Sequence, residues 1–430
     1  MIEAREFLTR VFRAGVAAAD PFAATRQAVA KLEDLTKDVV VISAGKGAHA
    51  MASGAVEALN ARGVTVTDGI VVANAPAADA SHGLESLIGD HPVPGDGSFE
   101  AADRLHSVAQ RASKDRDAIV LISGGATSLI ASPVDGLERT DLTSAFDALL
   151  SSGADINVMN AIRKRLLRFG AGRLAVALGS RRIHCLIASD VVGNELGAIA
   201  SGPCVPDGTT ASEAMDRAMS TGAWESLPRA ARSLIEGMAR GRVPDSAPPD
   251  HPRFATTNVQ IILDRHVATA GAAGAAKGTG VAVEVVDEPV KGEASAIGTR
   301  LAGEIVRRPR PDSPLCLIWS GETTVTLDVP GGKGGRCQEL ALAAARSLAD
   351  ASSHDVTLLA AGTDGRDGAN DSAGAVVDGS TWSAIERRGI NPELALRRHN
   401  SYPALDAVGA LLKTGPTGTN VNDLVIALIE

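Results

Sequence analysis

The sequence predicts an α/β protein with a doubly wound, Rossmann-like N-terminal domain and a second α/β domain whose sheet is mixed. Short apolar runs without polar alternation are separated by helical stretches, which is typical of strands buried in a parallel sheet that is covered on both faces. The length of 430 residues exceeds what one hydrophobic core usually supports, so we expect two domains.

The N-terminal domain is expected to begin with an amphipathic helix, because MIEAREFLTRVFRAG carries charges at helical spacing and lacks the apolar core of a signal peptide. The segment 240–254 contains four prolines and little apolar content, which is typical of a linker. We therefore predict domains at 1–240 and 255–430, joined by a linker at 241–254. The predicted strands of the first domain are DVVVIS (38–43), GIVVAN (69–74), DAIVLIS (117–123) and IHCLIAS (183–189).

The second domain is expected to combine strands and Ala-rich helices. LCLIWSGETTVTLDV (315–329) has the pattern of paired strands, and two further strands are predicted at 356–365 and 422–430. Helices are predicted at 265–277 and 338–349. The pattern leaves open whether the last strand joins this domain or returns to the first.

Composition narrows the class of partner. A formal net charge of −9 and only 3% aromatic residues argue against nucleic-acid binding. No apolar stretch reaches membrane-spanning length, and the four cysteines are far apart with no C-x-x-C pair. We therefore expect a cytoplasmic protein that acts on small molecules without a nucleic-acid or membrane partner. The oligomeric state stays open, a homodimer included.

A glycine loop follows the first predicted strand. Gly45, Gly47 and Ala50 satisfy the G-x-G-x-x-G/A pattern, which by itself indicates a nicotinamide enzyme. The second strand, however, ends at Asn74, where a ribose-binding acid is expected, and Lys46 between the glycines favours a phosphate or carboxylate. The alternative is a tight turn with an exposed lysine.

Two more strand ends carry polar groups. Ser123, Gly124 and Gly125 open a helix and form either an anion cradle or a structural turn. Asp190 lies at the carboxyl end of the fourth strand, where open α/β sheets bind ligands. It is a candidate general base or indirect magnesium ligand, and its alternative role is to cap the following loop.

A basic stretch lies between these loops. Most of its cations are expected on a solvated helix face, with one or two pointing inward. The stretch contains Arg163, Lys164, Arg165, Arg168 and Arg173.

The second domain repeats the combination of glycines and charges. In GGKGGRCQE (331–339), Arg336 is expected in the first turn of a helix, where a guanidinium beside backbone N–H groups suits phosphoryl oxygens. Asp364, Asp367 and Asp371 lie in a glycine-rich loop that either holds Mg²⁺ through waters or forms a surface turn. Convergence of Lys46, Arg336 and several carboxylates would suit phosphoryl transfer.

Eight ordered blocks between residues 45 and 424 resemble the glycerate 2-kinases of the MOFRL type, some of which are labelled hydroxypyruvate reductase. The blocks are GKGAHAMA, HPVPGDGS, LISGGATSL, SDVVGNELGAIASGPCVPDGTT, GETTVTL, GGRCQELALAAA, GTDGRDGANDSAGAV and TGPTGTNVNDL.

The resemblance implies ATP- and Mg²⁺-dependent phosphorylation of the 2-hydroxyl of D-glycerate, giving 2-phosphoglycerate and ADP. It also implies a smaller C-terminal domain and an active site in the interdomain cleft. By the same resemblance Lys46, Arg336 and Asp190 are catalytic, and Asp190 and Asp364 are metal ligands, directly or through water. The implied substrate or nucleotide contacts are Gly45, Gly47, Ser123, Gly124, Gly125, Glu322, Gly335, Thr363, Asp364 and Asn420.

The sequence departs from the family pattern at several polar positions, so the acceptor and its stereochemistry stay open. Cys337 stands where Asn is usual and is interpreted as a packing substitute, because nothing nearby in sequence supplies a base. The other departures are Ala126, Thr127, Arg165, Leu167, Gly170, Ala171, Gly172 and Arg265. The alternatives are a kinase of a related hydroxy or sugar acid, an NAD(P)H-dependent hydroxypyruvate reductase, and a non-catalytic anion- or nucleotide-binding protein.

Overall fold

The computed structural model describes residues 3–76, 82–309, 313–327, 331–351 and 355–430. The helices of the described residues are α1 (Ala4–Ala18), α2 (Pro21–Ala30), α3 (Ala48–Ala61), α4 (Asp96–Arg111), α5 (Ala126–Leu129), α6 (Arg139–Ser151), α7 (Ile156–Leu166), α8 (Arg173–Ala177), α9 (Ala211–Ser220), α10 (Ala223–Ser226), α11 (Arg229–Ala239), α12 (Arg265–Lys277), α13 (Ala294–Arg307), α14 (Arg336–Asp350), α15 (Thr381–Arg387), α16 (Pro392–Arg397) and α17 (Ser401–Asp406). Two 3₁₀-helices span Ile199–Ser201 and Pro252–Thr256.

The strands of the described residues are β1 (Asp38–Ala44), β2 (Thr65–Ala73), β3 (Glu85–Ile88), β4 (Asp117–Ile122), β5 (Ile183–Ala188), β6 (Thr257–Leu263), β7 (Ala282–Val285), β8 (Val290–Glu293), β9 (Leu315–Thr324), β10 (Val356–Gly362), β11 (Gly374–Asp378), β12 (Leu411–Leu412) and β13 (Asp423–Ile429). The chain divides into two compact units. The N-terminal unit is Pro21–Ile262, and the C-terminal unit is Met1–Asp20 together with Leu263–Glu430.

The N-terminal unit contains a six-stranded sheet in the order β3-β2-β1-β4-β5-β6. The pairs from β3 to β5 are parallel, which confirms the predicted parallel sheet. This is the Rossmann strand order, and its direction of winding reverses between β1 and β4. The carboxyl ends of these two strands therefore flank the crevice where this kind of sheet binds ligands.

Both faces of this sheet are covered, as the unalternating apolar runs predict. Along β2, Ile70 and Val72 pack into the cluster that contains Leu105 of α4, whereas Val71 and Ala73 pack with α3. Successive residues of a strand point to opposite faces, so α3 and α4 cover opposite faces of the sheet. A separate apolar cluster, which includes Phe146 of α6, joins α6, α7, α9, α10 and α11.

The C-terminal unit contains a seven-stranded sheet in the order β12-β11-β10-β13-β9-β7, with β8 also paired to β9. The pairs of β13 with β9 and β10 are antiparallel, and those of β9 with β7 and β8 are parallel, so the predicted mixed sheet is confirmed. Helices α13 and α14 pack on the face that contains Leu317 and Val425. Leu424, the neighbour of Val425, contacts Gly15 of α1, so α1 covers the other face.

The segment 315–329 was predicted as paired strands, and that prediction is wrong for its described part. Residues Leu315–Thr324 form the single strand β9. Its ladder with β13 continues through Ser320 and Gly321 without a turn. The first half of β9 pairs with β7 and the second half with β8.

The two units differ from the predicted domain boundaries. The first helix, α1, buries Phe7, Leu8, Val11 and Phe12 and packs on α12 in the C-terminal unit, because its apolar stripe needs a partner. The segment 241–254 lies inside the N-terminal unit and leads into β6, the strand next to β5. The last strand, β13, lies between β10 and β9 in the sheet of the C-terminal unit. No helix of the described residues is both long and apolar enough to cross a membrane.

Candidate functional site

The loops after β1 and β4 are hydrogen-bonded to each other in the N-terminal unit. The backbone N–H of Lys46 donates to the carbonyl of Gly124 at 2.9 Å, and the N–H of Gly47 donates to Ser123 Oγ at 3.0 Å. Gly45 lies against the same serine, since a Cβ at that position would collide with Ser123 Oγ. The structure therefore brings together the glycine loops that the sequence analysis identified one by one.

Asp190 joins these loops from the end of β5. A Cβ on Gly124 would collide with Asp190 Oδ2, so a larger residue here would displace the Asp190 carboxylate. The carboxylate therefore lies directly against the backbone of the Ser123–Gly125 loop. Three candidate segments, Gly45–Gly47, Ser123–Gly125 and Asp190, thus meet at the carboxyl edge of the sheet.

His91 belongs to the same group, although the sequence analysis gave it no role. A Cβ on Gly125 would lie 3.1 Å from His91 Cδ2 and 3.5 Å from Lys46 Cγ, so both side chains border this glycine. Burial lowers the pKa of His91, and the charges of Lys46 and Arg163 lower it further. The sequence block HPVPGDGS could have pointed to this histidine. It was passed over because it does not follow one of the predicted strands, where the other candidate residues were found, but precedes a helix.

In the stretch 163–173, most of the five cations were expected on a solvated face and one or two inside, but none of the five is exposed, so the expectation is wrong for most of them. Arg165 is fully buried and binds Asp207 Oδ2 through NH1 at 2.5 Å, while its NH2 donates to the carbonyl of Thr209. Its Nε lies 3.4 Å from Asp245 Oδ1. Burial alone would raise the pKa of Asp207, but the charges of Arg165 and Lys164 outweigh burial and lower it.

Two neighbouring arginines are also largely enclosed. Arg163 stacks on the ring of Phe146 at 4.7 Å, and Arg173 NH1 donates to the carbonyls of Lys164 at 2.6 Å and Leu167 at 3.2 Å. Burial lowers the pKa of both guanidinium groups. Arg168, with a third of its side chain exposed, is closer to the expected surface position.

In the C-terminal unit, Arg336 begins α14 and lies between two carboxylates. Its Nε and NH2 donate to Asp423 at 2.6 and 2.9 Å, and its NH1 lies 2.7 Å from Glu322 Oε1. Burial would lower the pKa of Arg336, but the charge of Asp423, the hydrogen bond to it and the charge of Glu322 outweigh burial and raise it. Asp423 is a candidate functional residue that the sequence analysis missed, because the sequence places it at the start of a buried strand and gives it no other distinguishing feature.

The segment before β13 is tied to the end of β10. Thr363 Oγ1 donates to the carbonyl of Asn422 at 2.6 Å and accepts from Val421 N at 2.9 Å, so this predicted contact residue holds backbone in place. The side chain of Asn422 donates to Glu322 Oε2 at 3.2 Å. Asn420 lies half-buried in the same segment.

The three aspartates of the loop after β10 have different surroundings. Asp364 Oδ1 accepts from Arg366 N at 2.9 Å, within its own turn. Asp371 Oδ1 accepts from the Tyr402 hydroxyl at 2.6 Å. In the part of the chain that the structure describes, no group of three or more His, Cys, Asp or Glu side chains is placed to hold a metal ion.

Asp367 caps the helix that Arg336 begins. Its carboxylate accepts from Cys337 N at 3.0 Å and from Gln338 N at 2.8 Å, and Gly335 lies against it. Burial raises the pKa of Asp367 to about 6, although the two backbone hydrogen bonds oppose that shift. The cap fixes the first turn of α14 and with it the direction in which Arg336 leaves the helix.

The departures from the family pattern occupy structural positions. Cys337 is buried in the core, and burial raises the pKa of its thiol, which fits the packing interpretation. Arg265, buried at the start of α12, donates to Ser320 Oγ at 3.0 Å and to the carbonyl of Asp287 at 2.9 Å. Thr127 Oγ1 lies 3.3 Å from Ser201 Oγ, and Leu167 is buried in the helical cluster.

These features define an α/β enzyme for small anionic substrates, with a Rossmann-type sheet whose carboxyl edge carries Lys46 and Asp190. A family model described as a domain of unknown function, DUF4147, matches residues 7–236, and the MOFRL family model matches residues 315–423. The chain belongs to the glycerate 2-kinase family of the MOFRL type.

Relatives match over nearly the whole chain. The glycerate 2-kinase of Pyrococcus horikoshii is 36% identical over 442 residues, covering 100% of this chain and 98% of the relative. The crystal structure of a glycerate kinase from Thermotoga maritima has a TM-score of 0.84 and 33% identity, and 99% of each chain is covered. An Agrobacterium vitis protein that is 36% identical, covering 100% of this chain and 95% of its own, is named a hydroxypyruvate reductase only provisionally.

Proposed function

We propose that this protein transfers the γ-phosphoryl group of ATP to the 2-hydroxyl of D-glycerate, giving 2-phosphoglycerate and ADP. The observation that carries the proposal is the meeting of the Lys46 loop, the Ser123–Gly125 loop and Asp190 at the switch point of the Rossmann-type sheet. Its support from relatives is the full-length likeness to the glycerate kinases of Pyrococcus horikoshii and Thermotoga maritima.

The N-terminal unit supplies the groups for the chemical step. The 2-oxygen of glycerate forms a bond to the γ-phosphorus, the bond between that phosphorus and the β,γ-bridging oxygen breaks, and ADP leaves. Asp190 accepts the hydroxyl proton, and the exposed ammonium of Lys46 neutralises charge on the transferring group. Gly124 and Gly125 are the proposed backbone contacts for substrate oxygens. Gly45, Gly47 and Ser123 hold the two loops together, which keeps those contacts in place.

The C-terminal unit contributes Arg336 as a fixed cation for an anionic group of the substrates. Its contacts with Asp423 and Glu322 use three of the five N–H donors of a guanidinium, so an anion can still be bound by the same plane. The remaining substrate contacts proposed in this unit are Gly335, Thr363, Asp364 and Asn420.

The residues present fit a Mg²⁺ ion that arrives with the nucleotide. Mg²⁺ usually keeps several waters and is held by substrate phosphates with one or two carboxylates, which requires no dedicated cluster of protein ligands. The candidate ligand in the N-terminal unit is Asp190, whose carboxylate lies against the Gly124 backbone. The candidate in the C-terminal unit is Asp364. When bound, the ion supplies charge neutralisation for the phosphates.

The reductase alternative is weaker, because β2 ends at Ala73 and the amide of Asn74 follows at the position where a dinucleotide enzyme carries an acid. The four cysteines are buried and unpaired, which supports the reducing cytoplasm as the location. We keep a related hydroxy or sugar acid as a second acceptor, because Thr127 and Arg265 replace the family's usual side chains.

An acceptor panel tests the proposal. ADP release is coupled to NADH oxidation for D-glycerate, L-glycerate and four-carbon sugar acids, each with and without Mg²⁺, and the product with D-glycerate is identified by phosphorus NMR as the 2- or 3-phosphate. We expect D-glycerate to give 2-phosphoglycerate only when Mg²⁺ is present. A higher kcat/KM with a sugar acid would reassign the acceptor, and NADH oxidation with hydroxypyruvate in the absence of ATP would overturn the kinase assignment.

A further inference from the structure

A cavity of about 680 Å³ lies at the amino edge of the N-terminal unit's sheet, at the opposite end of β5 from Asp190. It is formed by the end of α2 and the starts of β5 and β6, and we call it the amino-edge pocket. Its volume lies within the range of small-molecule binding sites. Its lining includes the charged and polar side chains of Lys31, Glu33, Arg182, His184, Asn258 and Gln260.

His184 is the unusual member of this lining. Its side chain is 7% exposed, and neither ring nitrogen has a hydrogen-bond partner in the described structure. Burial lowers the pKa of His184 and outweighs the opposing charge of Asp117, so the ring is neutral near pH 7 and offers one donor and one acceptor. Leaving such buried groups unsatisfied is destabilising, so a bound polar group would be stabilising here.

Of the three cationic side chains around His184, one has a carboxylate partner in the described part of the chain and two do not. Arg181 is held by Asp117 through bonds of 3.0 and 2.8 Å, so that pair neutralises itself. Neither Lys31 nor Arg182 forms an ion pair among the described residues, and Glu33 is the single carboxylate in the pocket lining. The lining therefore carries a net positive charge on a protein whose formal net charge is −9.

We propose that the amino-edge pocket binds a small organic anion, a phosphate monoester or a carboxylate, as a second site distinct from the catalytic loops. Arg182 and Lys31 contact the anionic group, and His184, Asn258 and Gln260 bind the polar remainder. His184 and Ala188 are four residues apart on β5, about 13 Å at 3.3 Å per residue, so a ligand here would not reach Asp190. The site goes beyond the proposed kinase activity and does not depend on it.

Calorimetric titration tests the site. Two sets of ligands are compared. One set is inorganic phosphate, glycerol phosphate and 2-phosphoglycerate, and the other is carboxylates of three to six carbons. Each ligand is titrated into the wild type, Lys46→Ala, Arg182→Gln and His184→Gln. We expect at least one ligand whose affinity falls about tenfold or more in Arg182→Gln and His184→Gln, as the loss of a charge-assisted hydrogen bond implies, and is unchanged in Lys46→Ala. The set that contains the binding ligand shows whether the pocket prefers a phosphate or a carboxylate.

Arg242→Gln is the matched control, because Arg242 is an exposed arginine of the same unit outside the pocket. It should leave all affinities unchanged, and Arg182→Gln should leave kinase turnover unchanged in the absence of the second ligand. Arg182 is partly exposed, so its variant remains informative even if His184→Gln fails to fold. If no ligand of either set binds, or if every affinity depends on Lys46 and none on Arg182, the pocket holds only water and the proposal is overturned.

Discussion

Asp423 holds the guanidinium of Arg336 through two hydrogen bonds, from Nε at 2.6 Å and from NH2 at 2.9 Å. The side chain of Asp423 is 6% exposed and that of Arg336 is 34% exposed, so a buried carboxylate fixes an arginine that is still partly open to solvent. A bidentate pair of this kind sets the plane of the guanidinium as well as its position. Under the proposed function, Asp423 is therefore a positioning residue that acts through Arg336.

Removing the arginine and its partner should give non-additive losses. Arg336→Ala is expected to lower kcat by on the order of 10², the usual cost of losing one charge-stabilising group in a desolvated site. Asp423→Asn should lower kcat by less, and the double variant should be no slower than Arg336→Ala. Steady-state kinetics of the four proteins checks this, with thermal unfolding to identify misfolded variants. Losses that multiply in the double variant would contradict a role through Arg336.

Lys46 is expected to act through its charge, because its backbone and not its ammonium holds the neighbouring loop. Lys46→Ala should therefore lower kcat by on the order of 10² while leaving the unfolding midpoint within experimental error. The matched control is Lys37→Ala, at an exposed lysine just before β1, which should change neither quantity. If Lys46→Ala turns over substrate at the wild-type rate, Lys46 is not a catalytic residue.

His91 should make the wild type more sensitive to mild acid than a variant without an ionisable ring. Because burial beside Lys46 and Arg163 lowers the folded pKa of His91 below the ordinary value of 6.5, the unfolded chain binds more protons between these two pKa values. Stability from this group is therefore complete above about pH 6.5 and declines as pH falls toward the folded pKa.

The measurement for His91 is urea unfolding at several pH values between 5 and 8. The stability gap between the wild type and His91→Gln should narrow as pH falls through this window, because glutamine has no proton to gain. His106→Gln serves as the comparison at a partly exposed histidine of the same unit. A gap that does not depend on pH would contradict the burial argument.

The sequence predicted the elements whose signals are local. The strands β1, β2, β4, β5, β10 and β13 lie where apolar runs indicated them, and helix α12 spans the predicted residues 265–277. The glycine loops could also be recognised, because the parallel order of the strands brings their carboxyl ends to one edge. Periodicity and turn chemistry suffice for such features, since neither depends on distant parts of the chain.

The sequence could not predict contacts between residues that are far apart in the chain. Arg336 and Asp423 are separated by 87 positions, and Arg165 and Asp207 by 42. A run of arginines has the same sequence pattern whether its partners are water or buried carboxylates. The stretch 163–173 was therefore predicted to be mostly solvated, with only one or two cations pointing inward. His91 was missed for the same reason, because only the fold brings it to Gly125 and Lys46.

The buried pair of Arg165 and Asp207 should be a main determinant of stability in the N-terminal unit. Arg165 has no exposed side-chain area and Asp207 has 6%, so Asp207→Asn would leave a buried guanidinium without its closest negative charge. Losing one partner of a buried ion pair typically costs about 3–5 kcal/mol of unfolding free energy. Asp245, at 3.4 Å from Arg165 Nε, should keep the cost toward the lower end.

Chemical denaturation of Asp207→Asn measures this cost. The control is Asp135→Asn, because Asp135 is a fully exposed partner of Arg168 whose loss should leave the unfolding free energy within experimental error. The pH dependence follows from the lowered pKa of Asp207. Its contribution is fully present above the unfolded value near 3.9 and disappears as pH falls through the lower folded pKa, so the two proteins should converge in stability only below about pH 4. Equal stability of Asp207→Asn and the wild type at neutral pH would mean that the burial of Arg165 is satisfied by Thr209 and Asp245 alone.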